Sequence, residues 1–304
     1  MIAFDRDELL DGAIDLHVHG YPDMGLEHRS RTSDFHTCEL ARDAGLRAIV
    51  FKSHFWPTMD RAFQLNERLA SDAFTVYSSI VLNPIAGSLL PMSVDVAAAH
   101  GAKLVYLPTW GCCHDHEQRG TVRKAIIEPQ FPTIVKALDE HGALSMLDDA
   151  GNLRAEVHEI IALCRDKRLT LCTGHVSPRE SFAVLRAARA AGLTKLIVTH
   201  PLNATIGATL DECKEFVELG AVVEFTFAGT VSANKPFAVR AVEGAVRALG
   251  AEHCVLTTDV FFDYLPPQPE SLRMFAHQMR FVGLSFEEIR AMIVGNPARL
   301  LDLA

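Results

Sequence analysis

The feature that most limits what this chain can fold into is a repeated change of hydrophobic period. Short runs rich in Val, Ile, Leu and Thr alternate along its 304 residues with amphipathic, Ala- and Glu-rich stretches. The first kind has the character of strands covered on both faces, and the second that of helices with one apolar side. Strands are predicted at residues 13–19, 47–52, 74–82, 103–108, 169–175, 195–200, 221–226 and 253–259. Helices follow them, among others at 34–43, 59–71, 178–191, 210–219 and 236–249. Gly45, Gly192, Gly220 and Gly250 fall where helices must stop before the next strand. Eight strands in this alternation predict an α/β protein, a (β/α)8 TIM barrel, with residues 1–304 forming a single barrel domain. A doubly wound open sheet is the rival, but no Gly-rich dinucleotide fingerprint follows the first strand.

One segment departs from the rhythm. Residues 111–168 are too many for a simple βα unit. They read as a loop, a helix over about 130–141, a short strand at 143–147, a turn at Asp149-Ala150-Gly151-Asn152 and a further helix. This is an elaborated connection between strands 4 and 5, on the face where barrel loops shape substrate pockets.

Composition narrows the function. With 49% hydrophobic and 22% charged residues, a large core is expected and disorder is not. A net charge of -9 argues against nucleic acid as a partner, because phosphate binding needs clustered Lys and Arg. Acidic residues interrupt the first ten positions, so no secretory signal is expected there. No apolar run approaches the ~20 residues of a membrane span. The seven cysteines are odd in number and scattered, which fits a reducing cytoplasm. The expected partner is a small-molecule substrate, with a homo-oligomer left open.

Polar residues of one kind collect at the predicted strand ends. His17 and His19 end strand one, His175 strand five, His200 strand six and Asp259 strand eight. In a barrel these ends surround one pocket. By strict alternation Asp15, His17 and His19 face the barrel axis, and Ile14 and Leu16 face the helices. Four imidazoles and a carboxylate would make a poor core, since each needs a partner. One or two divalent metal ions resolve this, zinc first, with manganese or iron as alternatives. Strand two ends Phe51-Lys52-Ser53-His54, which puts Lys52 and His54 on one face, toward the same pocket. His54 is a candidate to bind substrate, as are Tyr21, just past His-x-His, and Trp110, at the end of strand four. Glu224, inside strand seven, is a candidate to hold a ligand imidazole from behind. Arg29 and Arg31 are candidate anion readers in the loop after strand one. Cys112, Cys113, His114 and His116 cluster in a loop but match no standard zinc spacing. His36, His100, His141, His158 and His277 fall on or near predicted helices, away from the strand ends.

The motifs Asp15-Leu16-His17-Val18-His19-Gly20, Thr173-Gly174-His175, Val198-Thr199-His200-Pro201 and Thr258-Asp259 resemble the amidohydrolase superfamily. So does the ending Gly295-Asn296-Pro297-Ala298-Arg299-Leu300-Leu301, and the resemblance runs over essentially the whole chain. It is nearest to a subgroup of small amidohydrolase-like proteins with Lys-x-His on strand two. The resemblance implies that these histidines and the aspartate bind one or two metal ions. It also implies that the metal activates water against a carbonyl or phosphoryl centre, and that Asp259 shuttles the proton. The chain departs from many binuclear members at strand four. There Tyr106-Leu107-Pro108-Thr109-Trp110 offers neither the lysine that is carbamylated in those members nor a bridging glutamate. Lys52 on strand two is then a carbamylated metal bridge, a cation for a substrate carboxylate, or a structural ion-pair partner. The expected activity is metal-dependent hydrolysis of a C–N or C–O bond in an amide, lactam, cyclic imide, ester or lactone. The alternative is a metal-dependent decarboxylase or hydratase on the same scaffold, acting on a small carboxylated substrate.

Overall fold

The computed structural model describes residues 7–23, 25–26, 32–118, 124, 127–231 and 238–303. Eight parallel strands form one sheet in the order β1 to β8. They are Ile14–His19, Ala48–Lys52, Thr75–Val81, Ala102–Tyr106, Thr170–Cys172, Leu196–Val198, Val222–Thr226 and Cys254–Thr257. The helices are α1 Asp34–Asp43, α2 Met59–Leu69, α3 Pro91–Ala99, α4 Cys113–Gln118, α5 Glu128–Gln130, α6 Pro132–His141 and α7 Ala155–Asp166. They continue with α8 Pro178–Ala191, α9 Leu210–Glu218, α10 Phe227–Val231, α11 Val239–Leu249, α12 Gln268–Phe281, α13 Phe286–Arg290 and α14 Asn296–Leu301. This is the expected (β/α)8 barrel. Among the described residues no helix is long and apolar enough to cross a membrane.

Two apolar layers hold the barrel together. The outer one packs the strands' outward side chains, such as Val18, Phe51, Val105 and Phe225, against the helices. The inner one fills the barrel with Ile14, Leu16, Ala48, Val50, Leu104, Tyr106, Ile197, Val222 and Val255. Leu300 and Leu301 of α14 join this inner cluster, which explains the C-terminal motif. Asn296 anchors that helix by donating from Nδ2 to the carbonyls of Ala251 (2.8 Å) and Cys254 (2.7 Å). The plug sits at the end where the strands begin, so the opposite end is left for a site.

The first strand corrects the alternation expected of it. Ile14 and Leu16 lie inside the barrel, not against the helices. Between Asp15 and Val18 the register against β2 shifts by one residue, which is a β-bulge. A bulge inserts one residue and re-aims the side chains after it. Both Leu16 and His17 therefore point inward, Val18 points out, and His19 returns to the interior. Asp15 turns to the seam between β1 and β8. Its carboxylate accepts from the backbone amides of His17 (3.1 Å) and Thr258 (3.2 Å), from the Thr258 hydroxyl (2.5 Å) and from the Gln268 amide of α12. Asp259 completes the seam by donating its amide to His17 O at 2.9 Å.

Strands five and six are shorter than expected. They end at Cys172 and Val198, so His175 and His200 sit in the turns just beyond. The connection between β4 and β5 is elaborated as predicted. Its expected short strand is reduced to two isolated bridges, Cys112 with Leu144 and Leu147 with Leu153. The start of the helix predicted at 236 lies outside the described residues, and α11 is seen from Val239.

Asp15 is the buried polar knot of the seam. Burial raises its pKa to about 6, against the hydrogen bonds from Thr258 and Gln268. Asp15→Ala leaves several buried donors unpaired and should lower the unfolding free energy by about 3 kcal/mol in urea titrations. Asp15→Asn should cost clearly less. Gln268 Oε1, buried with no hydrogen-bond partner, can accept the new amide once the Gln268 side chain turns over.

Candidate metal centre

The open end of the barrel carries a closed ring of five imidazoles. Ring centroids are 5.3 Å apart for His17–His19, 4.9 Å for His19–His54 and 5.9 Å for His54–His175. The circuit closes through His175–His200 at 5.1 Å and His200–His17 at 6.1 Å. Asp259 joins from the end of β8. Its Oδ1 lies 3.0 Å from His17 Nε2 and 3.1 Å from His19 Nε2. Lys52 Nζ, fully buried, lies 2.9 Å from His17 Nε2 and 5.0 Å from the centre of the Tyr106 ring. Every metal ligand expected from the sequence, and His54, is thus brought to one place.

Four of the five rings, all but His200, are oriented by their other nitrogen. His17 Nδ1 donates to Glu224 Oε1 at 3.0 Å, and Thr257 donates to the same oxygen at 2.9 Å. His19 Nδ1 donates to Asp23 Oδ2 at 2.6 Å, and His175 Nδ1 to Asp115 Oδ1 at 3.0 Å. His54 Nδ1 lies 2.9 Å from Thr109 Oγ1. Glu224 was legible in the sequence as such a partner; Asp23 and Asp115 were not. Asp23 follows the β1 motif in a loop and also accepts from Ser53 Oγ and the His54 amide, tying the β1 and β2 ends together. Asp115 stands within the Cys-Cys-His-Asp-His run, where attention falls on its neighbours. Those neighbours have other roles. Cys112 donates to His175 O, Cys113 to Ala143 O, His114 bonds Ile206 O, and His116 pairs with Asp139. Burial raises both thiols above their ordinary pKa, so neither is poised as a thiolate ligand. Asn83 is a further residue missed by sequence reading. It donates to His54 O (2.8 Å) and Thr109 Oγ1 (2.7 Å) and accepts from the Thr109 amide (2.8 Å).

The candidate substrate residues separate. His54 lies in the ring. Trp110 is buried and donates its indole N–H to His54 O at 3.1 Å, so it supports the ring from behind. Tyr21 runs along its own loop, with its hydroxyl donating to Leu26 O. Arg29 and Arg31 lie outside the described residues. His36 pairs with Glu39, His100 with Val96 O and His277 with Asp7, all away from the ring.

Local backbone serves this geometry. His200 (φ 29°) and Asp259 (φ 52°) both adopt left-handed conformations that non-glycine residues rarely accept. Gly174, at φ 63°, lets the β5 turn press against the end of β4, where a Cβ would collide with the Leu107 carbonyl. That approach allows the His175 amide to donate to Pro108 O at 3.0 Å.

The electrostatics suit a cation. His17, His19 and Asp259 offer ligand atoms all within 4.8 Å of one another. Buried His200 Nδ1, Glu224 Oε2 and Asp115 Oδ2 have no hydrogen-bond partner. Burial, joined by His175, pushes His200 down to about 3. Burial likewise depresses His175, His54 and the Lys52 amine. Burial opposes ionisation of Asp259, yet the neighbouring His17 charge and the His17 and His19 hydrogen bonds hold it well below the carboxylate range. The neutral imidazoles of His175 and His200 and the ionised Asp259 carboxylate are donors of the kind a divalent ion takes, and His17 sheds its proton to join them.

Residues 12–224 match the family of unknown function DUF6282, and the chain belongs to it. The match spans β1 to most of β7 and stops short of Asp259. No curated protein matches the sequence. Among solved structures the chain is similar to an amidohydrolase from Pseudomonas aeruginosa, with TM-score 0.65 and 13% identity over 96% of each chain. It is similar to the phosphotriesterase homology protein from Escherichia coli, with TM-score 0.57 and 14% identity over 95% of this chain and 98% of that one. It is also similar to a beta-aspartyl dipeptidase from Fervidobacterium islandicum, with TM-score 0.61 and 15% identity over 96% and 73%. These share the barrel, and they are amidohydrolase superfamily members, the group that the motifs resemble.

His17 provides a measurable sign of this electrostatic arrangement. Burial lowers its pKa, but Asp259 and then Glu224 raise it more, against Lys52, to about 9 in the metal-free protein. Its folded pKa lies above the unfolded value, so its contribution to stability is fully present below pH 6.5 and is lost as pH rises through about 9. NMR of the His17 ring should show titration near pH 9 without metal. Added zinc should abolish it, because a ligating imidazole is unprotonated.

Proposed function

We propose that this protein is a metal-dependent hydrolase that cleaves a C–N or C–O bond in a small molecule: an amide, lactam, cyclic imide, ester or lactone. The observation that carries this reading is Asp259, whose one oxygen faces both His17 Nε2 and His19 Nε2 inside a closed ring of imidazoles. His17, His19, His175, His200 and Asp259 would hold one or two divalent ions, with zinc favoured by the imidazole-rich donor set and manganese or iron as alternatives. When bound, the ion supplies Lewis acidity toward the scissile carbonyl and acidifies water. Asp259 takes the proton of the attacking water and returns it to the leaving group. Glu224, Asp23 and Asp115 keep the ligand rings in the tautomer that turns Nε2 inward. His54, whose Nδ1 is engaged by Thr109, presents its other nitrogen to the substrate.

Lys52 enters this reading with the metal ligands. Among the described residues it pairs with no carboxylate, and a protonated lysine cannot ligate. Addition of CO2 to the neutral amine, with loss of one proton, turns it into a carbamate that offers an anionic bridge from β2. The cysteines are all free and all but Cys113 are buried, which supports placing the enzyme in a reducing cytoplasm.

Elemental analysis should find one or two divalent ions per chain, and a chelator should remove activity that added zinc restores. Asp259→Asn should cut turnover at least ~100-fold while the fold persists, with metal content measured beside the rate. Carbon dioxide release from carboxylated substrates without hydrolysis of any ester, lactone or amide would replace this reading with a lyase. Lys52→Ala should lose one metal equivalent, and bicarbonate with a short carboxylic acid should partly restore it. Unchanged metal content and rate would remove Lys52 from the ligand set.

A further inference from the structure

The ring of helices around the barrel is open at one place. Among the described residues α1 packs on α2, α3 on α7, α7 on α8, α8 on α9, α9 on α11, α11 on α12 and α12 on α1. Between α2 and α3 there is no comparable contact, although the strands that carry them, β2 and β3, are paired neighbours in the sheet. α2 packs on β3 and α1, and α3 packs chiefly on α7. The groove between two adjacent barrel helices is thus left without the packing that closes it elsewhere.

Apolar side chains collect at the same place. Six of the eleven large apolar side chains that stand exposed among the described residues lie between positions 56 and 96: Trp56, Phe63, Ile85, Leu90, Met92 and Val96. On α2, Arg61 reaches Asp34 at 3.2 Å and Arg68 lies over the Phe35 ring, so both mark the side toward α1. Helical spacing sets Phe63 on the other flank. Met92 and Val96, one turn apart, form a stripe on α3 outside its buried Val94 and Ala97. Trp56, Ile85 and Leu90 extend the patch into the loops after β2 and β3. Single exposed apolar residues need no account, but a patch gathered over an unpacked groove marks an interaction surface.

The size of the patch points to what covers it. Two aromatic side chains of ~150–250 Å² and four aliphatic ones, each 41–65% exposed, present on the order of 600 Å². A stable dimer takes ~800 Å² from each copy, about 65% of it apolar. The patch therefore supplies the apolar part of one such interface. A net charge of -9 sets the chain against the anionic surface of a membrane. A two-fold interface uses the same surface on both copies. Here one surface carries both the groove and the apolar ridges, Phe63 on one side and Met92 with Val96 on the other, that can fill the groove of a second copy.

We propose that the chain forms a two-fold dimer through α2 and α3, with Phe63, Met92 and Val96 of each copy seated against the α2–α3 groove of the other. The dimer does not depend on the reaction catalysed.

Sedimentation equilibrium of the full chain should give twice the mass of one chain at micromolar concentrations. Phe63→Glu and Val96→Glu should each raise the dissociation constant of the dimer about 30-fold or more, with circular dichroism unchanged. Phe63→Ser and Met92→Ser, which add no charge, should weaken the dimer in the same direction by about tenfold. Phe281→Glu, at an apolar residue 87% exposed on α12, should leave the mass at that of the dimer. A monomeric parent, a dimer that survives both glutamate changes, or one that only Phe281→Glu dissociates, would overturn the proposal. A monomer that sediments with phosphatidylcholine vesicles would overturn it too, and would assign the patch to a lipid surface.

Discussion

The seam between β1 and β8 is the constraint on which the rest depends. A barrel has to close its first strand onto its last, and here the closure and the candidate centre share atoms. The Asp259 amide donates to His17 O, while its carboxylate faces the side chains of His17 and His19. Asp15 ties both backbones together from the outer side. The geometry of the polar pocket is therefore set by the same bonds that close the fold. A side chain fixed in this way loses little freedom when it binds an ion or moves a proton.

The bulge in β1 makes this arrangement compatible with a packed interior. Without the extra residue, the alternation that turns His17 and His19 inward would turn Ile14 and Leu16 onto the helices. The barrel floor would lose two of its filling side chains, and Asp15 would enter the interior as a buried carboxylate away from Thr258 and Gln268. One register shift separates an apolar lower half, closed by Leu300 and Leu301, from a polar upper half.

The polar half is a balance of buried charge. Four carboxylates stand behind or among five imidazoles, and burial alone would drive most of these groups neutral. The strained backbone at His200 and Asp259 and the buried unpartnered atoms of His200, Glu224 and Asp115 show that packing alone does not account for the cluster. Stability and chemistry pull in different directions here, as they do where a site is organised around a ligand.

The sequence by itself determined the barrel, because eight changes between strand and helix period leave few other ways to cover every apolar face. It also determined which side chains meet, because residues at the ends of parallel strands share one face of a barrel. His17, His19, His175, His200, Asp259, Lys52 and His54 were legible on that ground, and Glu224 through its place inside β7. Only the tertiary structure decided the rest. The bulge that reverses Ile14, Asp15 and Leu16 leaves no mark in the local pattern, since alternation assumes an unbroken register. Asp23, Asp115 and Asn83 lie in loops and a short helix whose paths no periodicity governs. Their partners are between four and 60 residues away in sequence and become neighbours only when the strand ends converge. The opening between α2 and α3 is decided there too, since the packing of one helix on the next exists only once the barrel has closed.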